Sequence, residues 1–439
     1  MADVRTSMGV PPPALVSPPL TRRESGAAES RPLRVAYVSV SDQMGGSEAM
    51  LLQTAAELRR SRPRWSLHLV LPGGGPLADR AAALGMQVTV LPMPSSLTRL
   101  GESGLRSMRR GAAGVRLVRA ALDLPAYERQ LRTVIETVRP DVLHSNGFKA
   151  HVLASRARCA GARVLWHVHE YISNRPFTRR LLRHYAGRGA TIVANSESVA
   201  SDVRAVIGTR AHVRVIYNAV DLERFSPSGA VADLDALAGL APAAAGTLRV
   251  GLIATFSKWK GHDTLLRAVA ALPPSARIRA YIVGGAVYDT DGSQYSLEEL
   301  RQIAAAHGVG GRVGFTGFVQ EPDQVMRALD VVVHASTTPE PFGLVIAEAM
   351  ACGRPLVTSA TGGAAELVRA GEDALTHRPG DAADLSAAIQ ALAGDAHLRA
   401  RLGSVARATA LRRFDARRLA DEFACAYEPA AGAPMAAHA

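Results

Sequence analysis

At 439 residues the chain is long enough for two or three domains with substantial cores, and 48% hydrophobic against 21% charged residues is an ordinary globular balance. The formal charge of +12 draws the protein toward anions such as nucleic acid, acidic lipid headgroups or sugar nucleotides, while aromatics at 5% do not interleave with the basic residues, which argues against a single-strand stacking platform. No apolar run reaches 18 residues, which excludes a membrane-spanning helix, and three cysteines without metal or redox spacing fit a reducing compartment.

Residues 1–32 are rich in Pro, Ser and Arg without an apolar signal core and read as a disordered leader. Short apolar runs then alternate with helical patterns, at 34–40, 67–71, 88–91, 142–144, 163–168, 191–194 and 213–216. This is the pattern of a doubly wound, mostly parallel α/β sheet. The loop after the first run carries Gly45 and Gly46, either an anion-approaching strand-to-helix turn or a plain tight turn. It lacks the third glycine of a dinucleotide fingerprint.

Between 97 and 132, eight arginines stand against three acids, interleaved with Leu105, Val115, Leu117, Val118 and Leu122. The segment is either a solvated helical face or a basic amphipathic stretch for an anionic membrane or an acidic lipid-linked acceptor. His167, His169 and Glu170 leave the carboxyl end of the 163–168 strand, where ligand-contacting groups of such sheets gather. H-x-H-E has some look of a metal site, but no further ligand stands at suitable spacing, and polar cleft residues are the commoner outcome.

Residues 226–246 are poor in large apolar side chains and read as a boundary, after which strands recur at 248–254, 279–283, 313–315, 331–334 and 355–358. Two Rossmann-like halves therefore face each other, with ligands expected across the cleft. Lys258 and Lys260 follow the first of these strands, either as a solvated basic loop or as charge for a leaving diphosphate. Asp289 and Asp291 form a D-x-D in a polar loop, a weak metal signal.

Residues 339–353, PEPFGLVIAEAMACG, are the most informative stretch. The apolar run predicts a short buried helix over 342–351, with Pro341 before it and Gly353 where it stops. The backbone N–H groups of Phe342, Gly343 and Leu344 are then unpaired at the positive end of a dipole, a place for phosphate. Glu340 lies outside the helix, and Glu348 inside it needs partners such as a ribose diol. Two glutamates eight apart arise by chance in most chains of this length, so the surrounding residues carry the reading. A last helix over 415–427 is placed to return across the interface.

GGSE after the first strand, VIYNAVDLERFSP before the boundary, KWKGHD, RVGFTGFV, PEPFGLVIAEAMACGRPLVTSATGGAAELV and a late PGD occur in one order. Over about residues 34–428 the chain thereby resembles the retaining glycosyltransferases of the GT-B fold, family 4. The resemblance implies an acceptor-binding Rossmann-like domain at 33–225, a linker at 226–246 and a nucleotide-sugar-binding domain at 247–414. A crossover helix at 415–430 and a disordered tail at 431–439 complete this division.

Carried over, Glu348 holds the ribose, and Glu340 lies against the donor sugar with the amides of Phe342, Gly343 and Leu344. Lys260, aided by Lys258, meets the diphosphate, Gly45 and Gly46 border phosphate and acceptor, and His169 contacts the donor sugar. Phe318 and Val319 lie beside the base, with Gly284, Thr361, Gly362 and Gly363 in the same pocket. Thr255 stands where the family usually has arginine, and Asp373 to Arg378 lacks the usual glycine-led apolar run.

The implied chemistry is front-face transfer from a nucleoside-diphosphate sugar, with neither protein nucleophile nor cofactor and no metal requirement. The glutamates are then a binding pair, not the acid and base of a glycosidase. The expected setting is cytoplasmic, with peripheral contact at the inner membrane face, in bacterial cell-surface polysaccharide or glycolipid synthesis. The acceptor is a glycan, a lipid-linked sugar or a small molecule, and nucleic acid is not expected as a partner. The alternatives are a sugar-nucleotide epimerase and a catalytically silent sugar-nucleotide-binding scaffold.

Overall fold

The computed structural model describes residues 32–98, 110–159, 161–208, 212–286 and 292–428. The D-x-D at Asp289 and Asp291, the leader up to residue 31, residues 99–109 of the basic segment and the tail from residue 429 lie outside them.

The first sheet comprises β1 (Arg34–Val38), β2 (Ser66–Leu71), β3 (Gln87–Val90), β4 (Val142–Asn146), β5 (Arg163–Val168), β6 (Thr191–Ala194) and β7 (His212–Val215). All its pairings are parallel, in the order β3-β2-β1-β4-β5-β6-β7. The second comprises β8 (Leu248–Ile253), β9 (Ile278–Val283), β10 (Val313–Gly317), β11 (Val331–His334), β12 (Leu356–Thr358) and β13 (Leu375–Thr376). It too is parallel, in the order β10-β9-β8-β11-β12-β13. Strand order reverses between β1 and β4 and between β8 and β11, which opens a crevice outside the carboxyl ends of the strands at each place.

Both sheets carry helices on both faces, so central strands such as β1 and β11 are buried along nearly their whole length rather than alternately. On β1, Ala36 and Val38 point to the side covered by the helix Arg110–Val138, through Tyr127, Leu131 and Ile135. Val35 and Tyr37 point to the opposite side. There they meet the helix Gly46–Ser61, through Met50, Leu51 and Leu58, and the helix Leu419–Tyr427, through Phe423 and Tyr427.

This last helix belongs in sequence to the second half yet completes the first half's core. The crossing is fixed where Val220 N donates to Phe414 O (2.7 Å) and the Arg418 guanidinium donates to the carbonyls of Tyr217 and Asn218. Full burial of a side chain such as Phe423 contributes roughly 1.5–3 kcal/mol, which favours the return.

One local difference from the sequence reading has a clear cause. β13 was not anticipated, because a two-residue strand has no readable period; it pairs with β12 through Leu375 and Thr376, in the stretch that departs from the family pattern. Residues 226–246, the boundary, contain the short helix Leu234–Leu237 capped by Asp233. The adjoining Asp235 carboxylate is buried and accepts from Tyr281 Oη (2.6 Å), Arg279 (2.6 Å) and Arg249 (3.2 Å) on β9 and β8.

Candidate active site

The carboxyl end of β8 leads into the 3-10 turn Lys258–Lys260, and that of β11 into Ser336 and the loop to Glu340. These two strands are neighbours, so Lys260 and Glu340 meet: Nζ donates to Oε1 (2.9 Å) and Oε2 (2.8 Å). Ser336 Oγ donates to Oε2 (2.8 Å), and His334 Nε2 lies 3.2 Å from it. Glu340 is 6% exposed. Burial alone would raise its pKa, but the Lys260 charge and the His334 contact outweigh this and hold it well below the usual carboxylate range. Such a carboxylate stays ionised and fixes the ammonium, which also rests over the Trp259 ring at 4.0 Å.

The helix begins at Leu344, not at Phe342. Gly343 adopts the left-handed conformation (φ 91°, ψ 62°), and a Cβ there would lie 2.9 Å from Ile346 Cδ1. Phe342 therefore stands outside the helix, with its ring buried against Phe414. The open first-turn amides are those of Leu344 and Val345, since Ile346 N already donates to Gly343 O (2.9 Å). The stop is as expected, with Gly353 at φ 63° and its N–H donating to Met350 O (3.0 Å).

Glu348, inside this helix, is half-buried, and its carboxylate makes no hydrogen bond with another described residue. Desolvation pushes its pKa up to about 7, against the opposing pull of Arg224.

Lys258 does not join Lys260. One turn of 3-10 helix sends the two side chains apart, and Lys258 is exposed with its ammonium 5.4 Å from the Tyr295 ring centroid. Lys260 is the lysine of the pair that Glu340 holds. Thr255 Oγ1 pairs with Ser257 Oγ at 3.2 Å and adds no charge.

Gly284 has φ 139°, and a Cβ there would collide with the Ala254 carbonyl. Phe318, just past β10, is 68% exposed, and Val319 beside it is half-buried. The loop Thr361, Gly362, Gly363 runs alongside Glu340: Glu340 N donates to Thr361 O (3.2 Å) and Gly363 N to Glu340 O (2.7 Å). Any side chain on Gly363 would strike the Pro341 carbonyl.

Across from this cluster, the first sheet presents Gly45, which precedes the helix Gly46–Ser61, and Gly46, around which a Cβ would find open space. His169 follows β5, its ring 4.0 Å from that of His167, and its Nε2 is buried without a partner in the described residues. Desolvation lowers its pKa to about 4, so it is a neutral imidazole. Glu170 pairs with Arg175 (2.9 Å). No group of three His, Cys, Asp or Glu side chains among the described residues is arranged to hold a metal ion.

The halves touch through residues that sequence reasoning did not single out. Tyr171 Oη donates to Glu340 O (3.2 Å), Ser196 Oγ to Pro341 O (2.7 Å), and Glu366 accepts from the backbone N–H groups of Glu197 and Ser198. His334 and Ser336 were also missed, although a histidine ending a strand is the same signal that brought His169 forward.

Two family descriptions divide the chain. "Glycosyltransferase Family 4" matches residues 44–224 and "Glycosyl transferases group 1" matches residues 244–409. The lipopolysaccharide core biosynthesis glycosyltransferase LpsE of Rhizobium meliloti is 32% identical over 232 residues, covering 53% of this chain and 62% of that protein. D-inositol 3-phosphate glycosyltransferase of Streptomyces bingchenggensis is 34% identical over 223 residues, 50% of this chain and 48% of that one. The chain thus spans about half to three fifths of the length of these relatives. Among solved structures, Anabaena Alr3699/HepE, crystallised with UDP and glucose and also with UDP-glucose, superimposes with TM-score 0.74 at 27% identity, covering 89% of this chain and 98% of that one. Sucrose-phosphate synthase from Thermosynechococcus elongatus, 22% identical with TM-score 0.70 over 90% of this chain and 98% of its own, shares the fold.

Proposed function

Because the chain belongs to the family 4 glycosyltransferases of the GT-B fold, we propose that it moves a sugar, with retention, from a nucleoside-diphosphate sugar to a hydroxyl acceptor. The observation that carries this is the Lys260 ammonium held by Glu340, four residues ahead of Leu344, where the next helix begins. A diphosphate there gains charge as the glycosyl bond breaks, and a fixed cation with oriented amides stabilises that charge more than the ground state. The acceptor hydroxyl attacks from the same face, and its proton passes to the leaving phosphate oxygen.

Glu340, tied to a lysine and two further partners, has no role as nucleophile. Glu348 receives the ribose hydroxyls, exposed Phe318 stacks on the base with Val319 beside it, and His169 faces the transferred sugar. Thr361 to Gly363 and Gly284 keep the backbone close to the donor, and Gly45 and Gly46 border phosphate and acceptor. A UDP-sugar is the first donor to test, since HepE holds UDP-glucose. The acceptor is proposed as a sugar, polyol or lipid-linked glycan, from the likeness to the lipopolysaccharide and inositol-phosphate enzymes. Neither the epimerase nor the silent-scaffold alternative gains support from these matches.

Incubation with UDP-, GDP- and ADP-sugars should release nucleoside diphosphate, and Lys260→Ala should slow release by about 100-fold or more. Equal rates in wild type and variant, or no donor bound at all, would sink the reading.

Peripheral contact with an anionic membrane is the second part of the proposal. On the helix Arg110–Val138, Val115, Val118 and Leu122 share one face and are 60%, 60% and 73% exposed, with exposed Arg119 among them. Vesicles containing phosphatidylglycerol should sediment the protein at low salt, and Val118→Ser with Leu122→Ser should weaken this about tenfold. Equal binding to neutral phosphatidylcholine vesicles would rule out the electrostatic part.

A further inference from the structure

His151 sits on the helix Phe148–Ala157, fully buried. It stacks on Trp166 (centroids 5.2 Å apart, planes 11° apart). Trp166 Nε1 donates to Ser155 Oγ (3.1 Å), which donates back to His151 O (2.7 Å). Its Nδ1 lies 2.8 Å from Ser145 Oγ, and Ser145 Oγ donates to Leu165 O (3.1 Å). A hydroxyl has one hydrogen, so the assignment that satisfies both Ser145 contacts puts the ring hydrogen on Nδ1. Burial keeps the ring neutral, and Nε2 is then an acceptor with no donor among the described residues.

His151 also helps line a small pocket of about 30 Å³, room for a hydroxyl or a water, together with Ser47, Gly147, Phe148, His169 and Glu170. The pocket lies outside the carboxyl ends of β4 and β5, beside the switch point of the first sheet. His169 Nε2 there is likewise buried and unpartnered. Two neutral imidazoles at one small polar pocket suit a carbohydrate hydroxyl better than a charged group.

We infer that His151 is a specificity residue whose Nε2 accepts a hydrogen bond from a carbohydrate hydroxyl entering this pocket. The inference rests on the transfer reading above. The hydroxyl belongs either to the donor sugar or to the acceptor, and the two sources are separable.

The test uses His151→Asn and His151→Gln in the full chain. The asparagine amide stands in for Nδ1 and keeps the Ser145 bond while removing Nε2; the glutamine amide places a polar atom near Nε2. A merely structural histidine is therefore rescued by asparagine, and a hydroxyl-reading one by glutamine. Calorimetric binding of the tightest of UDP-, GDP- and ADP-glucose is compared with that of its parent nucleoside diphosphate.

If the donor sugar supplies the hydroxyl, His151→Asn weakens nucleotide-sugar binding about tenfold or more. Nucleoside diphosphate binding stays unchanged, and His151→Gln stays within about threefold of wild type. If the acceptor supplies it, both binding constants are unchanged, and the acceptor KM rises by a similar factor in the asparagine variant only. Unchanged binding and KM in both variants, or rescue by asparagine alone, overturns the inference and leaves the transfer reading standing. A wild-type protein that binds no nucleotide sugar removes the transfer reading and this inference with it.

Discussion

Glu340 and Glu348 are eight residues apart and electrostatically opposite. Glu340 lies in a cage of Lys260, Ser336 and His334 that stabilises its charge, whereas Glu348 is desolvated without a donor among the described residues, and its pKa rises to about 7. The sign of the second effect is testable. A carboxyl with a raised folded pKa binds more protons in the native state, so stability falls as pH rises from about 4.5 toward 7. Glu348→Gln should therefore stabilise the ligand-free protein at pH 8 by ~1–2 kcal/mol, a figure discounted for its partial exposure, while weakening nucleotide binding. Unfolding midpoints of wild type and variant at pH 5 and pH 8 measure this, and an equal difference at both pH values would contradict it.

The elements that build the site also hold the halves together. The helix Glu197–Ile207 starts with Ser196, whose Oγ accepts from Val199 N (3.1 Å) and donates to Pro341 O, and its next free amides point at Glu366 from the second half. Tyr217 Oη donates to the same carboxylate (2.8 Å). A carboxylate at a helix N-terminus is favoured by both the dipole and the unpaired N–H groups. Glu366→Gln should cost about 0.5–2 kcal/mol and speed amide exchange at Glu197 and Ser198. Exchange that is unaltered at those two amides would show that the cap does not form in solution.

For the whole molecule, the carboxyl end of the first sheet gathers four histidines. His144, His151, His167 and His169 lie close together, His144 bonds Tyr427 on the returning helix (2.7 Å), and burial lowers the pKa of each, to about 3 for His144 and about 4 for His169. A histidine kept neutral in the fold but protonated at about 6.5 when unfolded loses stability as pH falls through 6.5 toward its folded value. Each imidazole that stays neutral costs about 2 kcal/mol at pH 5. The urea midpoint should drop steeply between pH 7 and pH 5, and a flat midpoint would mean these rings are solvated.

Much of this protein follows from local pattern. Continuous apolar strands bounded by turn residues mark β5, β6 and β11 to the residue, because strands buried on both faces need such runs whatever they pair with. The stop at Gly353 is legible because a positive φ favours glycine. The helix start was misplaced by two residues, since Gly343 reads as a helix residue until its left-handed backbone is seen. Only tertiary structure could bring Lys260 to Glu340, eighty positions away, set Lys258 near the Tyr295 ring, seat Glu366 on a helix of the other half, or leave one nitrogen of His151 without a donor among the described residues. Those outcomes depend on which strands become neighbours and on the space between packed side chains, and neither is written in the local order of residues.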